Sequence, residues 1–430
     1  MELNKAMIEI GLKFNLKKST AIEPTPALSR EFGFTHAPTG ARLLGGFIGE
    51  DDSHKKWIES LRAHNVAFFE KIRKMEPDVA FAILSKCGIP KWNHLCRVTP
   101  PHIMNELCDS FDDMAIFAFE SIARLPKDGM TSESRLALHL PTAFGGLGVT
   151  QYKRISKALY DASSQGNLAP QRALTKEINK SLWKTLPPRF QQHLLRCKKE
   201  RHILQQPRPS PHFFRVLQLR ILSFNATPVN GQQWTCDCGV ASDNMADAAL
   251  HALGCVRLFT PNATSRSSAI KDVIARFCRS NSIPATVEPM VVSTNDGEQL
   301  RADIRISLPD EDVYVDVVVA NGSAKSHAKK TTEELEDEKR RLKEATYLRH
   351  VSAVGASFVS FFVEAMGELG KDAAHLARRL EKAALVPKRH ALREEISHTL
   401  HRNNGAIISN AFRSSNITPA GNVSQHNGQE

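Results

Sequence analysis

The sequence predicts a mixed α+β chain of several domains: a helical N-terminal half, a small metal-binding knuckle, and a C-terminal domain ordered α-β-β-β-α-β. Three observations predict it. Apolar residues recur at three and four from about residue 53 to 125, the helical period. Three cysteines and a histidine crowd residues 236–255. A helical pattern then precedes three valine- and isoleucine-rich runs, one of them alternating apolar and polar. At 430 residues the chain has room for two or three domains. Its 57 Lys+Arg against 46 Asp+Glu leave +11, which suits a polyanionic partner without requiring one. No run approaches the length of a membrane span, and no secretory leader is expected at the start. Eight cysteines in 430 residues make no disulfide scaffold and fit a reducing, intracellular compartment.

Taken in order, an amphipathic helix pattern opens the chain and runs into Gly11-Leu12-Lys13-Phe14-Asn15-Leu16-Lys17-Lys18-Ser19. Nothing precedes it to pack against, so the chain is expected to begin inside a domain. Pro24, Pro26, Gly33, Pro38 and Gly40 mark a loop. Leu43-Leu44-Gly45-Gly46-Phe47-Ile48-Gly49 reads as a short strand or hairpin, closing a first segment over 1–50. Helices follow over 51–195, separated by Pro77, Pro90, Pro100 and Pro101, with a glycine-rich loop from Pro141 to Val149. Within this helical run Asp112 and Asp113 read as a solvated helix face. Residues 196–260 hold a basic segment and the knuckle; 261–400 hold the α/β domain; 401–430, rich in Asn, Ser and Gly, reads as a disordered tail.

The basic segment carries Arg196, Lys198, Lys199, Arg201, Arg208, Arg215 and Arg220. Phe213, Phe214 and Leu217 sit at helical spacing and read as core. Lys198, Lys199, Arg215 and Arg220 are the candidates for phosphate contacts, which position a nucleic acid without reading its sequence.

Cys236, Cys238, His251 and Cys255 stand as Cys-x-Cys-x12-His-x3-Cys. Three thiolates and one imidazole form a closed tetrahedral zinc set, with no position left for water, so such a zinc is structural. Gly239 turns the knuckle, His251 and Cys255 are expected on one helix face, and Trp234 and Leu250 cap the small core. The alternative is three unpaired thiols and a surface histidine.

The three strand patterns are Thr286–Val292, Leu300–Leu308 and Val313–Val319. Asp316 stands inside the third, which is otherwise almost all valine. An ionised carboxylate there costs several kcal/mol, roughly, unless something compensates it. The turn Pro309-Asp310-Glu311-Asp312 makes the last two strands a hairpin, so Asp303 and Asp316 can meet on one face. Two carboxylates suit Mg²⁺, which takes few protein ligands and can activate water on a phosphodiester. The alternative is an aspartate solvated near the sheet edge.

The helix, Asp303, and Asp316-Val317-Val318 together resemble the restriction-enzyme-like PD-(D/E)XK nucleases. With the knuckle upstream, the chain resembles the C-terminal part of reverse transcriptases of non-LTR retrotransposons that carry such a nuclease. Residues 11–19 resemble the late palm, Leu44–Gly49 the primer-grip hairpin, and the helices to about 125 with Leu140–Gly148 the thumb and the segment after it. The resemblance spans roughly residues 5–365. It implies a thumb-like N-terminal half and a nuclease domain in which Asp303, Asp316 and Glu288 serve a catalytic Mg²⁺ or Mn²⁺. It also implies a catalytic lysine, matched by Lys343 in Lys343-Glu344-Ala345-Thr346-Tyr347, with Lys339 a second candidate; the alternative for Lys343 is a salt-bridged solvent face. Arg266 falls at the family's arginine before the first helix and joins the nucleic-acid candidates. The chain departs from the family at Ala302 (proline expected), Val318 (lysine) and Ser267 (histidine).

The implied function is nicking of target DNA, so that the free 3′ hydroxyl primes reverse transcription. The implied partners are DNA and RNA, with no membrane, and the implied location is the nucleus if the target is chromosomal. No complete polymerase site is expected in the chain by itself. The alternative is an inactive retroelement remnant that binds nucleic acid without cleaving it.

Overall fold

The computed structural model of the chain describes residues 7–11, 15, 18–166, 168–197, 202–205, 207–224, 233–255, 257, 265–293, 299–324, 326–327, 329–385 and 391–414. The chain is a mixed α+β protein divided into two compact units.

The first unit comprises Met1–Lys74, Ile83–Ala118 and Thr150–Lys180. It opens with β1 (Thr20–Ile22), α1 (Ala27–Phe32), β2 (Thr35–Ala37), β3 (Gly40–Leu43), β4 (Gly46–Gly49) and α2 (Asp51–Arg73). β1 and β2 pair in parallel; β3 and β4 form the expected hairpin, with Leu43 opposite Gly46. Its two central residues, Leu44 and Gly45, have φ of 48° and 81°. That is the left-handed pair a two-residue hairpin turn demands. After α3 (Pro77–Ile83), which belongs to the second unit, the first resumes with a π-helical turn (Leu84–Gly88) into α4 (Ile89–Val98), then α5 (Pro101–Ile122). Trp92, Phe111 and Tyr152 pack at its centre, with Trp92 and Phe111 centroids 4.0 Å apart.

Asp112 corrects the expectation of a solvated face, although Asp113 is exposed as expected. Asp112 is buried and accepts from the backbone N–H of Tyr152 (2.9 Å) and Lys153 (3.0 Å). These are donors at the start of α7 that have no partner within their own helix.

The second unit comprises Met75–Ala82, Phe119–Val149 and Ser181–Glu430. In chain order the remaining elements are α6 (Ser132–His139), α7 (Tyr152–Ser164, of the first unit), α8 (Leu168–Thr185, of the first unit as far as Lys180), α9 (Pro188–Cys197), α10 (His202–Gln205), α11 (Phe213–Ile221), β5 (Trp234–Thr235), β6 (Ala241–Ser242), α12 (Met245–Ala252), α13 (Ser265–Ser280), β7 (Ala285–Val287), β8 (Met290–Ser293), β9 (Gln299–Arg301), β10 (Ile304–Ser307), β11 (Asp312–Ala320), α14 (Thr332–Ala353), β12 (Ser357–Glu364), α15 (Lys371–Ala383) and α16 (Ala391–Ser414).

The main sheet runs β12-β11-β10-β7. β10 and β11 are the expected antiparallel hairpin, closed by Leu308 N–H to Glu311 O at 2.9 Å, and β12 lies parallel to β11. Side chains alternate across β11. Val313, Val315 and Val317 enter one core with Ile304, Ile306, Ile270 and Ile274. Tyr314 faces the other way, against Tyr347 and Val351 of α14. Both faces are therefore covered, as a valine run requires. Each fully buried Val or Ile side chain contributes about 1.5–3 kcal/mol.

Two expected strands are each broken in two. Thr286–Val292 splits into β7 and β8 at Glu288, whose φ is +50°, and Pro289, which has no N–H for a ladder. Leu300–Leu308 splits at Ala302-Asp303 into β9 and β10. The expected tail is corrected over 401–414, while 415–430 lie outside the described residues. Helix α16 runs to Ser414 and buries Leu400, Ile408, Ala411 and Phe412. The knuckle has no separate core either: Trp234, Cys236 and Cys255 share one with Ala365, Met366, Ile408 and Phe412.

Candidate functional site

Among the described residues, one group of three or more His, Cys, Asp and Glu brings its ligand atoms within 4.8 Å of one another: Cys236, Cys238, His251 and Cys255. β5 and β6 pair as a short hairpin, Trp234 opposite Ser242. Its turn is closed by Gly239 N–H to Cys236 O and Cys236 N–H to Val240 O, both 2.8 Å. Gly239 takes φ of 88°, open to glycine at little cost. Asn244 caps α12 by accepting from Ala246 and Asp247 N–H, and so fixes where His251 emerges. The expectation that His251 and Cys255 share a helix face is corrected, because α12 ends at Ala252 and Cys255 lies beyond the turn.

Cys236 Sγ and Cys255 Sγ lie 3.4 Å apart, and Cys238 Sγ lies 3.3 Å from His251 Nε2. Two thiolates about 2.3 Å from one zinc at the tetrahedral angle would stand about 3.8 Å apart. Donor chemistry and spacing both fit, so the four residues could hold a metal ion such as zinc. Cys236 and Cys255 are buried and Cys238 is exposed. The Trp234 indole meets the His251 ring edge-on at 5.7 Å and donates Nε1–H to Ala411 O at 3.3 Å. Both Trp234 and Leu250 are buried, as expected of capping residues.

The aspartates come together on the α14 side of the sheet. Ile304 pairs with Val315, so the preceding Asp303 falls beside Asp316. Asp303 donates its N–H to Val315 O (3.0 Å), and its Oδ2 accepts from Val317 N–H (2.7 Å). Burial raises the Asp303 pKa; the Asp316 charge raises it further, against the Val317 hydrogen bond. Asp316 is 6% exposed. Its Oδ2 lies 2.7 Å from Lys343 Nζ, so α14 does deliver Lys343 to the carboxylates. One turn on, Tyr347 donates its hydroxyl to Arg301 O at 3.0 Å. Burial, then the Asp316 charge, raises its phenol pKa. Lys339 pairs instead with Glu338 at 3.4 Å.

Glu288 does not join the aspartates as a third ligand. Lys271 of α13, which the sequence did not single out, holds Glu288 Oε1 at 2.6 Å and lowers the Glu288 pKa. The Lys271 charge also acts on Asp303. No spacing signal marks Lys271, because its partner lies 17 positions away across a strand.

The arginines expected to contact phosphate are corrected by burial. Arg215 is buried and donates Nη1–H to Gln218 Oε1 at 2.8 Å. Arg220 is buried and donates to Gly145 O (3.0 Å) and Cys197 O (2.5 Å). Arg266 is buried, donating to Leu253 O (2.6 Å) and Asn404 Oδ1 (3.2 Å). These guanidinium groups tie the interior together and present no surface to a phosphate. Lys198 and Lys199 lie outside the described residues.

The chain matches no protein-family model and no curated protein. Among the described residues, no helix is long and apolar enough to cross a membrane.

Proposed function

We propose that the chain is the C-terminal part of a non-LTR retroelement reverse transcriptase, and that its second unit nicks one strand of DNA. The observation that carries this reading is the meeting of Asp303, Asp316 and Lys343 on one face of the main sheet, whose strands and helices follow in the order α13-β7-β10-β11-α14-β12. Asp303 and Asp316 would hold a divalent cation. A buried carboxylate beside a half-buried one whose pKa is raised, the two repelling each other, fits that role. Bound Mg²⁺ or Mn²⁺ would supply an activated water and neutralise charge on the phosphate. The chain's own residues do the rest. Lys343 places a positive charge beside Asp316 and can turn to the phosphate. Tyr347, one turn on, packs with Ala302, Tyr314 and Val351 and so sets the face that α14 turns to the sheet. The four knuckle residues would hold a structural zinc, since a closed set leaves no open position. Nucleic acid is the proposed partner.

Supercoiled plasmid with the purified, zinc-loaded chain tests this. Nicking in Mg²⁺ or Mn²⁺ is expected, and Asp316→Ala should abolish it. Unchanged nicking by that variant overturns the assignment.

A second reading, a remnant that binds nucleic acid without cutting, is favoured by the Lys271–Glu288 pair, which draws the third carboxylate away. Under that reading neither the native chain nor the variant nicks, although both are folded.

A further inference from the structure

The proposed metal site has two carboxylates, and the sheet leaves a place for a third. Ile304 pairs with Val287 on one side and with Val315 on the other. One step along those three strands stand Glu288, Asp303 and Asp316, and the Glu288 N–H donates to Asp303 O at 2.9 Å. Residues facing each other across antiparallel strands have Cβ atoms about 4.5–5.5 Å apart. A glutamate, a methylene longer than an aspartate, can cross that gap to a cation held by its neighbours.

Glu288 is turned out of this row. Its φ of +50° interrupts the strand. β7 is the last strand of the main sheet, so a side chain at its end can turn around the edge. Glu288 does so and meets Lys271 Nζ at 2.6 Å. Lys271 comes from the far face of the sheet. It stands on α13, whose Ile270 and Ile274 pack in the core with Ile304 and Val315, whereas the aspartates face α14. The Lys271 side chain is 12% exposed and the Glu288 side chain 60%. The lysine is therefore held by its surroundings, and the glutamate is the partner free to move. An ion pair this open to water is weak and exchanges readily.

We propose that Lys271 is a positioning residue that keeps Glu288 off the metal and so sets how tightly Asp303 and Asp316 hold a divalent cation. The inference rests on the proposed metal site. Its use follows from coordination. Each carboxylate on an octahedral Mg²⁺ takes a position that water or phosphate could occupy. With Glu288 held away, the site stays open to both. The ammonium also keeps Glu288 ionised, since it lowers the carboxyl pKa.

The test measures Mn²⁺ binding to the full, zinc-loaded chain without nucleic acid, by electron paramagnetic resonance of the free ion. The native chain, Lys271→Met, Glu288→Gln and the double variant complete a double-mutant cycle. Loss of the lysine charge alone tightens binding whether or not Glu288 is present. Release of Glu288 onto the metal adds to this only where the glutamate remains. Lys271→Met is expected to tighten Mn²⁺ binding by at least about tenfold beside Glu288, and by no more than about threefold beside Gln at 288. Lys271→Gln gives the cycle a second, polar version should the methionine variant not fold. Equal factors in the two backgrounds, or no tightening, overturn the proposal. Asp316→Ala should abolish Mn²⁺ binding with either residue at 271. Binding that survives Asp316→Ala, or no binding by any of these proteins, overturns the metal site and this inference together. Binding that Asp316→Ala abolishes, with equal factors in the cycle, overturns this inference alone.

Discussion

Arg220 is basic in sequence and structural in space. With two of its nitrogens donating to Gly145 O and Cys197 O, it links chain segments 75 and 23 residues away. A count of positive residues cannot foresee that, because both acceptors are backbone oxygens of distant residues. Arg220→Met should lower stability by about 2–4 kcal/mol, since it removes two buried charge-assisted hydrogen bonds. A shift in the urea midpoint measures it, and nucleic-acid affinity of the folded fraction should be unchanged. Asp112 makes the opposite point for acids. Burial raises its pKa from 3.8 to about 6, although the Tyr152 and Lys153 N–H groups hold it back. Between those values the folded state binds more protons than the unfolded one. Rising pH therefore removes stability, and below 3.8 the contribution is fully present. Measured against Asp112→Asn, the native chain should lose about 2–3 kcal/mol from pH 4 to pH 6.5 and nothing further above that. A difference that stays flat, or grows with pH, would show that the carboxyl ionises freely.

At the scale of elements, legibility followed the reach of the signal. The β10–β11 hairpin was readable because its turn, one alternating strand and one valine-rich strand lie within twenty residues. Helix α14 was readable too, and the structure adds a reciprocal cap between Thr331 and Glu334 that fixes its start. The division of β7 from β8 was only half readable: Pro289 is a visible strand breaker, but the left-handed backbone at Glu288 is a conformation few side chains adopt. Helix α16 was missed for a different reason. Asn403, Asn404, Ser409 and Asn410 make its composition resemble a tail. Yet Asn404 is fully buried, accepting from Arg266 and donating to Ala365 O at 2.7 Å. Its polar groups are spent inside the protein, where composition counts them as solvated. Phe412, 2% exposed, stacks edge-on against Phe224 and lies under the Arg215 guanidinium. Phe412→Ala should cost about 3–5 kcal/mol, read by equilibrium unfolding. A cost near zero would mean that the expected disordered tail was right.

Over the whole molecule, the cysteine set was the part of the candidate site most legible in sequence, because ligand spacing is local and the thiolates need a common centre. What spacing could not give was its place in the fold. Cys236 and Cys255 lie in one core with Ala365, Met366 and Phe412, so the knuckle and the sheet domain share their interior. Arg266 to Leu253 O and Asn321 to Leu250 O (2.7 Å) tie them further. A metal at this cluster would therefore stabilise more than a loop. It would hold two thiolates apart inside the core of the second unit, and its loss would leave them to repel or take up protons. The prediction is one zinc per chain, with removal by a chelator lowering the melting temperature of the unit by about 10 °C or more. Trp234 fluorescence should change in the same titration, since its ring rests on His251. Cys255→Ser should reproduce both effects without chelator. If the metal-free chain melts at the same temperature as the loaded one, the shared core is sufficient by itself and the four residues are not a structural centre.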